Sequence, residues 1–242
     1  NNGLATINGL NTYNGLNTYN GLNTYNGLNT YNGLNTYNGL NTYNGLNTYN
    51  GLADDIGLMT TPEGRTTFQY IVKCALADGD SITKQYDGGN SVSTYNGLLG
   101  IAPEWKDGVC NTDCQERVSA CVLAHVNTTG NHVPIFLAGN DEDFPSIGSS
   151  RNMKDYPRQE SAFYGNIFIS PPVSHFCKGS DADSSPIAGR VGSSLQSTQY
   201  VDDFSGSGSC ADNCTSYGNE GSDSGFAACD GYHNVLTVFT QG

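Results

Sequence analysis

The stretch "NTYNGLNTYNGLNTYNGL" at residues 11–28 spells one uncharged six-letter unit three times, and the unit continues to Leu52. The triplet Asn-Gly-Leu opens at Asn2, Asn8, Asn14, Asn20, Asn26, Asn32, Asn38, Asn44 and Asn50, always six residues apart. Between these triplets stands Asn-Thr-Tyr, except for Ala5-Thr6-Ile7 at the start and Ala53-Asp54-Asp55 at the end. Ile7 in a tyrosine slot marks that position as apolar, and Ala5 and Ala53 show that the Asn after Leu is dispensable. Asn-Gly is a strong turn signal, because both residues accept positive φ at low cost. Each unit therefore reads as one turn and one short extended piece.

A helix is excluded by geometry. Six residues at about 100° each move successive leucines round by roughly 240°, so no apolar stripe forms. A glycine in every unit would add about 1 kcal/mol each time. A strand has period two, so an even repeat keeps every position on one face, with Leu and Tyr on opposite faces. A β-solenoid with one unit per side fits as well. Rotated to "LNTYNG", the unit partly resembles the left-handed hexapeptide β-helix, departing where that helix wants a small residue and this chain has Asn. The expectation is a β-type tail over residues 1–58, as a solenoid or a stacked β-ribbon. The strict placing of large apolar residues argues against plain disorder.

Residues 1–53 carry no charge, so the whole net charge of −13 falls from Asp54 onward. That split sets a neutral tail (1–58) against an acidic head (59–242), a single domain by length. An acidic head speaks against nucleic acid and anionic membranes as partners. No apolar run approaches 18 residues, so no membrane span is expected, and the chain reads as mature and soluble. A neutral, β-prone, Tyr- and Asn-bearing tail has the composition of a self-associating segment.

The eight cysteines, Cys74, Cys110, Cys114, Cys121, Cys177, Cys210, Cys214 and Cys229, all lie in the head. Their even number and the lack of any C-x-x-C pair favour four disulfides over zinc, which places the chain in an oxidising, extracellular setting. The sequons at Asn127 and Asn213 mark candidate glycosylation sites.

Two helices are expected in the head. One starts at "TTPE" (60–63), carries Phe68, Ile71, Val72, Ala75 and Leu76 on one face and ends at Gly79. The other starts near Thr112 or Asp113 and buries Cys114, Val118, Cys121 and Val122. Cys114 and Cys121 are two turns apart, about 10 Å, too far to bond each other. Beyond residue 130, "VPIFLAG", "YGNIFIS" and "NVLTVFT" read as short strands, giving an α+β, disulfide-stapled head.

The sequence carries no convincing catalytic set. "LAHV" (123–126) and "DSG" (223–225) faintly resemble a serine protease's histidine and serine motifs, but His125 falls in a predicted helix and Phe226-Ala227 replaces the usual Gly-Pro. No cofactor is expected. Asp141-Glu142-Asp143, Asp181-Ala182-Asp183 and Asp202-Asp203 have the ligand type for Ca²⁺ but lack EF-hand spacing, and read as solvated loop carboxylates.

The NGL hexads together with "TPEGRTTFQYIVKCAL", "GLLGIAPEW", "CNTDCQERVSACVLAHVNTTG" and "NVLTVF" resemble a group of secreted proteins of myxobacteria and their relatives. Those proteins carry LNGL-type leaders and a cysteine-containing C-terminal domain, and the resemblance spans nearly the whole chain. It implies an exported protein and little about chemistry. The near-perfect Asn-Thr-Tyr spacers depart from the group's pattern.

Two functions follow. One is the subunit of an extracellular, self-assembling fibre, a homopolymer joined through the tail's apolar slots, such as Leu22, Tyr25, Leu28, Tyr31 and Leu34. The other is a surface adhesin whose repeat face binds carbohydrate or ice. Thr94-Tyr95-Asn96-Gly97-Leu98 reproduces five residues of the repeat inside the head, in a stretch that reads as loop. Tyr95, Asn96 and Gly97 are therefore expected to seed the register of a docking tail.

Overall fold

The computed structural model describes residues 59, 62–125, 134–140, 144, 155–169, 172–181, 205–217 and 225–241. The tail expectation, with Leu22, Tyr25, Leu28, Tyr31 and Leu34, lies outside the described residues, as does Asn127.

Helix α1 spans Pro62–Ala75. Proline opens it because its fixed φ suits the first turn, where its missing N–H is not needed. Phe68, Ile71, Val72, Ala75 and Leu76 are all fully buried, the face the spacing predicts. The helix stops at Ala75, short of Gly79, because the later segment Leu98–Ala102 takes over its last carbonyls. Leu99 N–H donates to Lys73 O, Ile101 N–H to Cys74 O and Ala102 N–H to Ala75 O, while Leu98 and Gly100 both donate to Leu76 O. Carbonyls that a helix end leaves orphaned are thus satisfied by a strap of backbone N–H groups.

Helix α2 spans Thr112–Ala124, with Asn111 as its N-cap accepting from Cys114 N–H at 2.9 Å. Cys114, Val118, Cys121 and Val122 are buried as expected. Cys121 bonds Cys74 on α1, and Cys114 bonds Cys110 just before its own helix, so the two cysteines of α2 do not pair with each other.

Between the helices lies an antiparallel hairpin, β1 (Ser81–Tyr86) and β2 (Ser91–Asn96). This corrects the reading of residues 94–98 as loop, since Thr94–Asn96 are strand. The turn is Asp87-Gly88-Gly89-Asn90, with Asp87 and both glycines at positive φ. Asn96-Gly97 therefore lies at the end of a strand and is not the hairpin's turn.

Among the described residues, the remaining strands are β3 (Ile135–Ala138), β4 (Arg158–Asn166), β5 (Val173–Lys178), β6 (Ser205–Ser209), β7 (Cys214–Tyr217), β8 (Gly225–Cys229) and β9 (Leu236–Thr240). They form a five-stranded sheet, β3-β9-β4-β5-β6, and a separate pair, β7-β8. The sheet is antiparallel except for the parallel β5-β6 contact at its edge. "YGNIFIS" is only half strand. β4 runs from Arg158 and ends at Asn166, because Ile167 N–H donates to Ser119 Oγ on α2 and Phe168 N–H to Asn166 Oδ1, withdrawing both from the ladder. A short helix, α3 (Cys210–Asn213), links β6 to β7.

Successive residues of β4 enter different cores. Phe163 belongs to the core that also holds both helices, the hairpin and Leu236, whereas Ala162 and Tyr164 belong to the one that holds Cys177, Cys210, Phe226 and Cys229. The sheet is covered on both faces, and the second cover is fastened by Cys177–Cys210 and Cys214–Cys229. The head is therefore α+β and stapled by four disulfides. Among the described residues, no helix is long and apolar enough to cross a membrane.

Candidate functional site

The hairpin sorts its residues by face, as period-two strands must. Ile82, Lys84 and Tyr86 of β1 and Ser91, Ser93 and Tyr95 of β2 share the inner face. The outer face carries Ser81, Thr83, Gln85, Val92, Thr94 and Asn96, all exposed and uncharged. Thr83 and Thr94 stand opposite one another with their hydroxyl oxygens 3.0 Å apart. Among the described residues, β1 and β2 pair only with each other, so each has one edge outside the ladder.

Tyr95 anchors the hairpin to the helical core. It is 6% exposed, its ring meets Phe68 edge-on at 4.9 Å, and its hydroxyl reaches Met59 Sδ at 3.8 Å. Burial raises its pKa above the ordinary tyrosine value, with a hydrogen bond from Ser93 and the charge of Arg65 pulling the other way. Arg65 lies over the Tyr86 ring at 4.3 Å, beside the turn, and donates to Met59 O at 2.8 Å, which ties the turn end of the hairpin to the same Met59 that Tyr95 meets. Lys84 is turned inward and only 8% exposed, and burial lowers its pKa.

Beyond Asn96 the strand meets the helix. Gly97 N–H donates to Asp80 O at 2.8 Å. A Cβ on Gly97 would stand 2.4 Å from Ala77 O and 2.7 Å from Leu76 C, so only glycine fits against this backbone. Leu98 and Leu99 then pack on the edge of the core. In this one copy of the repeat letters, Tyr and Leu enter the same core while Thr94 and Asn96 face solvent. The tail's opposite-face expectation for Leu and Tyr is not what the head copy adopts, because the chain turns into the α1 strap after Asn96. Of the residues expected to seed register, Tyr95 and Gly97 are interior and Asn96 is exposed.

The other candidates fall elsewhere. Asn213 closes α3, half-buried, with its carbonyl accepting from Asp230 N–H and Cys214 of its sequon bonded to Cys229. His125 caps α2 and is buried, its Nδ1 within 2.6 Å of Cys121 O. Asp181, one of the carboxylates with a Ca²⁺ ligand type, is engaged in the loop itself, accepting from Gln159 N–H and Ser180 Oγ. Asp141-Glu142-Asp143, Asp183, Asp202-Asp203 and the Asp223-Ser224 pair lie outside the described residues.

Sequence reasoning missed one feature of this region, the β1-β2 ladder. The signal was the "DGGN" cluster between two six-residue segments, obscured because the inner face mixes Lys84, Ser91 and Ser93 with Ile82 and Tyr95. Comparison with protein families, with curated proteins and with solved structures finds no match to this chain.

Proposed function

We propose that this chain is the structural subunit of an extracellular, self-assembling fibre, and that the repeat tail is its polymerising device. One observation carries the reading. The head presents a six-residue strand, β2, whose last three residues and the two that follow spell the tail's own Thr-Tyr-Asn-Gly-Leu. The strand has no charge and no proline, the usual devices that keep a sheet edge from accepting another strand. Like pairs with like in ladders of Asn and Tyr, so a tail hexad added to this edge would find its own Thr-Tyr-Asn opposite. Four disulfides suit secretion, where such bridges persist and where a fibre would be glycosylated at Asn127 or Asn213.

The test is electron microscopy of negatively stained protein. The full chain should form filaments, and the chain starting at residue 53 should stay monomeric. Thr94→Lys combined with Asn96→Lys should abolish filaments while leaving the head's unfolding midpoint nearly unchanged, since both side chains are exposed. Filaments of equal number from the tail-less head would end the reading.

A surface-binding role is the second reading, and the outer face of the hairpin favours it. Thr83, Thr94, Asn96, Ser81 and Gln85 form an exposed, uncharged hydroxyl and amide array of the kind that can meet carbohydrate or ice. Binding of monomeric protein to a glycan array, lost in the double lysine variant, would select this reading over the fibre.

A further inference from the structure

The second core contains two disulfides in contact. Cys177 of β5 bonds Cys210 of α3, and Cys214 of β7 bonds Cys229 of β8. Across the two bridges, Cys177 Sγ lies 3.5 Å from Cys214 Sγ, and the sulfurs of Cys177, Cys214 and Cys229 all fall within 4.8 Å of one another. Cys210 stands four residues before Cys214 and is bonded to Cys177, which holds a fourth sulfur directly beside Cys177 Sγ, at the edge of that group of three. Four thiolates around one zinc ion, at about 2.3 Å each, stand about 3.8 Å from one another. The unbonded pair already has nearly that separation.

Each cysteine is also held by backbone that does not depend on its sulfur bond. Cys177 is paired with Ala162 in the sheet, and Cys214 N–H donates to Cys210 O. Cys229 exchanges two backbone hydrogen bonds with Tyr232, at 2.9 and 2.8 Å, around the tight Asp230-Gly231 turn. In the other sulfur-bearing group, Cys74, Cys121 and His125, the two cysteines are bonded to each other, so no fourth sulfur is attached to it, and it lies between the helices.

We propose that, when its two bridges are reduced, this cluster becomes a tetrathiolate site for one zinc-class divalent ion, with Cys177, Cys210, Cys214 and Cys229 as ligands. The chemistry balances with a dithiol as reductant. Each bridge takes up two electrons and two protons from one dithiol, which closes to its cyclic disulfide, so two dithiols yield four cysteine thiols. Binding one Zn²⁺ then releases four protons and leaves a site of net charge −2. The same four side chains would thus staple the head in an oxidising setting and hold metal in a reducing one.

The experiment uses the full chain, reduced with a dithiol, freed of it without air, and given one equivalent of Zn²⁺. Thiol alkylation followed by peptide mapping should show zinc-dependent protection at those four cysteines and not at Cys74, Cys110, Cys114 or Cys121. Co²⁺ in place of zinc should give the d–d and sulfur-to-metal charge-transfer bands of a tetrahedral thiolate site, and Cys210→Ser should lose the four-sulfur spectrum. The unreduced chain should retain no metal after desalting. Protection that is absent, or that falls equally on Cys74 and Cys121, would overturn the proposal. So would a Cys210→Ser spectrum identical to the wild type's.

Discussion

Replacing Gly97 with alanine tests whether the repeat letters in the head are held by packing. The added Cβ would stand 2.4 Å from Ala77 O and 2.7 Å from both Leu76 C and Leu76 Cβ. Two of those atoms are backbone, so no side-chain rotation relieves the contact. The strap must withdraw instead, and it carries the N–H donors to Asp80 O, Leu76 O and Lys73 O. Overpacking of this kind costs about 1–3 kcal/mol, and each strained hydrogen bond adds about 1 kcal/mol. A loss of about 2–4 kcal/mol is expected for the variant, read by urea unfolding of the full chain without reductant. Asn96→Ala, next door but exposed, should stay within about 0.5 kcal/mol of the wild type. If Gly97→Ala were as mild as Asn96→Ala, the close approach of strap and helix described above would be wrong.

Three further outcomes follow. Without reductant, the intact mass should lie about 8 Da below that of the fully reduced chain, two hydrogens for each of four bridges, and alkylation should label no cysteine of the oxidised protein. Removing the Cys74–Cys121 bridge by double alanine substitution should cost about 4 kcal/mol, and removing Cys110–Cys114 about 2 kcal/mol, because the first closes a far longer loop; equal losses would contradict the chain-entropy account. Burial raises the pKa of Tyr70 and Tyr95 above 10.0, so the unfolded chain releases those protons first and stability should fall as pH rises past 10. Tyr70→Phe should flatten that alkaline slope in a pH series of unfolding midpoints.

The helices were legible because each carries a periodic apolar face, although both are buried all round over their second halves. Phe68, Ile71 and Val72 on α1, and Val118, Cys121 and Val122 on α2, sit at spacings that only a helix brings together. β3 and β9 were legible as short apolar runs. β4 was not, because Phe163 faces one core and Ala162 and Tyr164 the other, which erases the alternation that marks a half-exposed strand. Its end was set by Ser119, 48 residues away in sequence, a partner no local pattern can announce. β6 is "SGSGS", a composition with almost no strand propensity, held by its parallel pairing to β5. The spacing of the cysteines excluded one pairing, Cys114 with Cys121, but the sulfur contact between Cys177 and Cys214 depends on three elements meeting in space.

The hairpin's two edges are not equivalent, and the difference bears on how copies would join. β1 carries Lys84, which points inward and is almost wholly buried, with burial already lowering its pKa. An inward charge on an edge strand is one of the devices that discourage further pairing, since a new strand would seal the ammonium from its remaining water. β2 has no such guard, and its six residues match the length of one repeat unit. Gly97 then turns the chain into the α1 strap, so the edge ends at Asn96, two residues before the repeat letters end at Leu98. Under the fibre reading, one edge is therefore open and accepts a tail, while the tail it accepts belongs to a different surface of the next copy. A joint between two unlike surfaces does not close on itself as a twofold dimer does, and it propagates as a ring or an open filament. The net charge of −13 sits wholly outside the first 53 residues, so neighbouring heads repel while the neutral tails do not. That balance favours an extended filament, with heads spaced along it, over a compact ring.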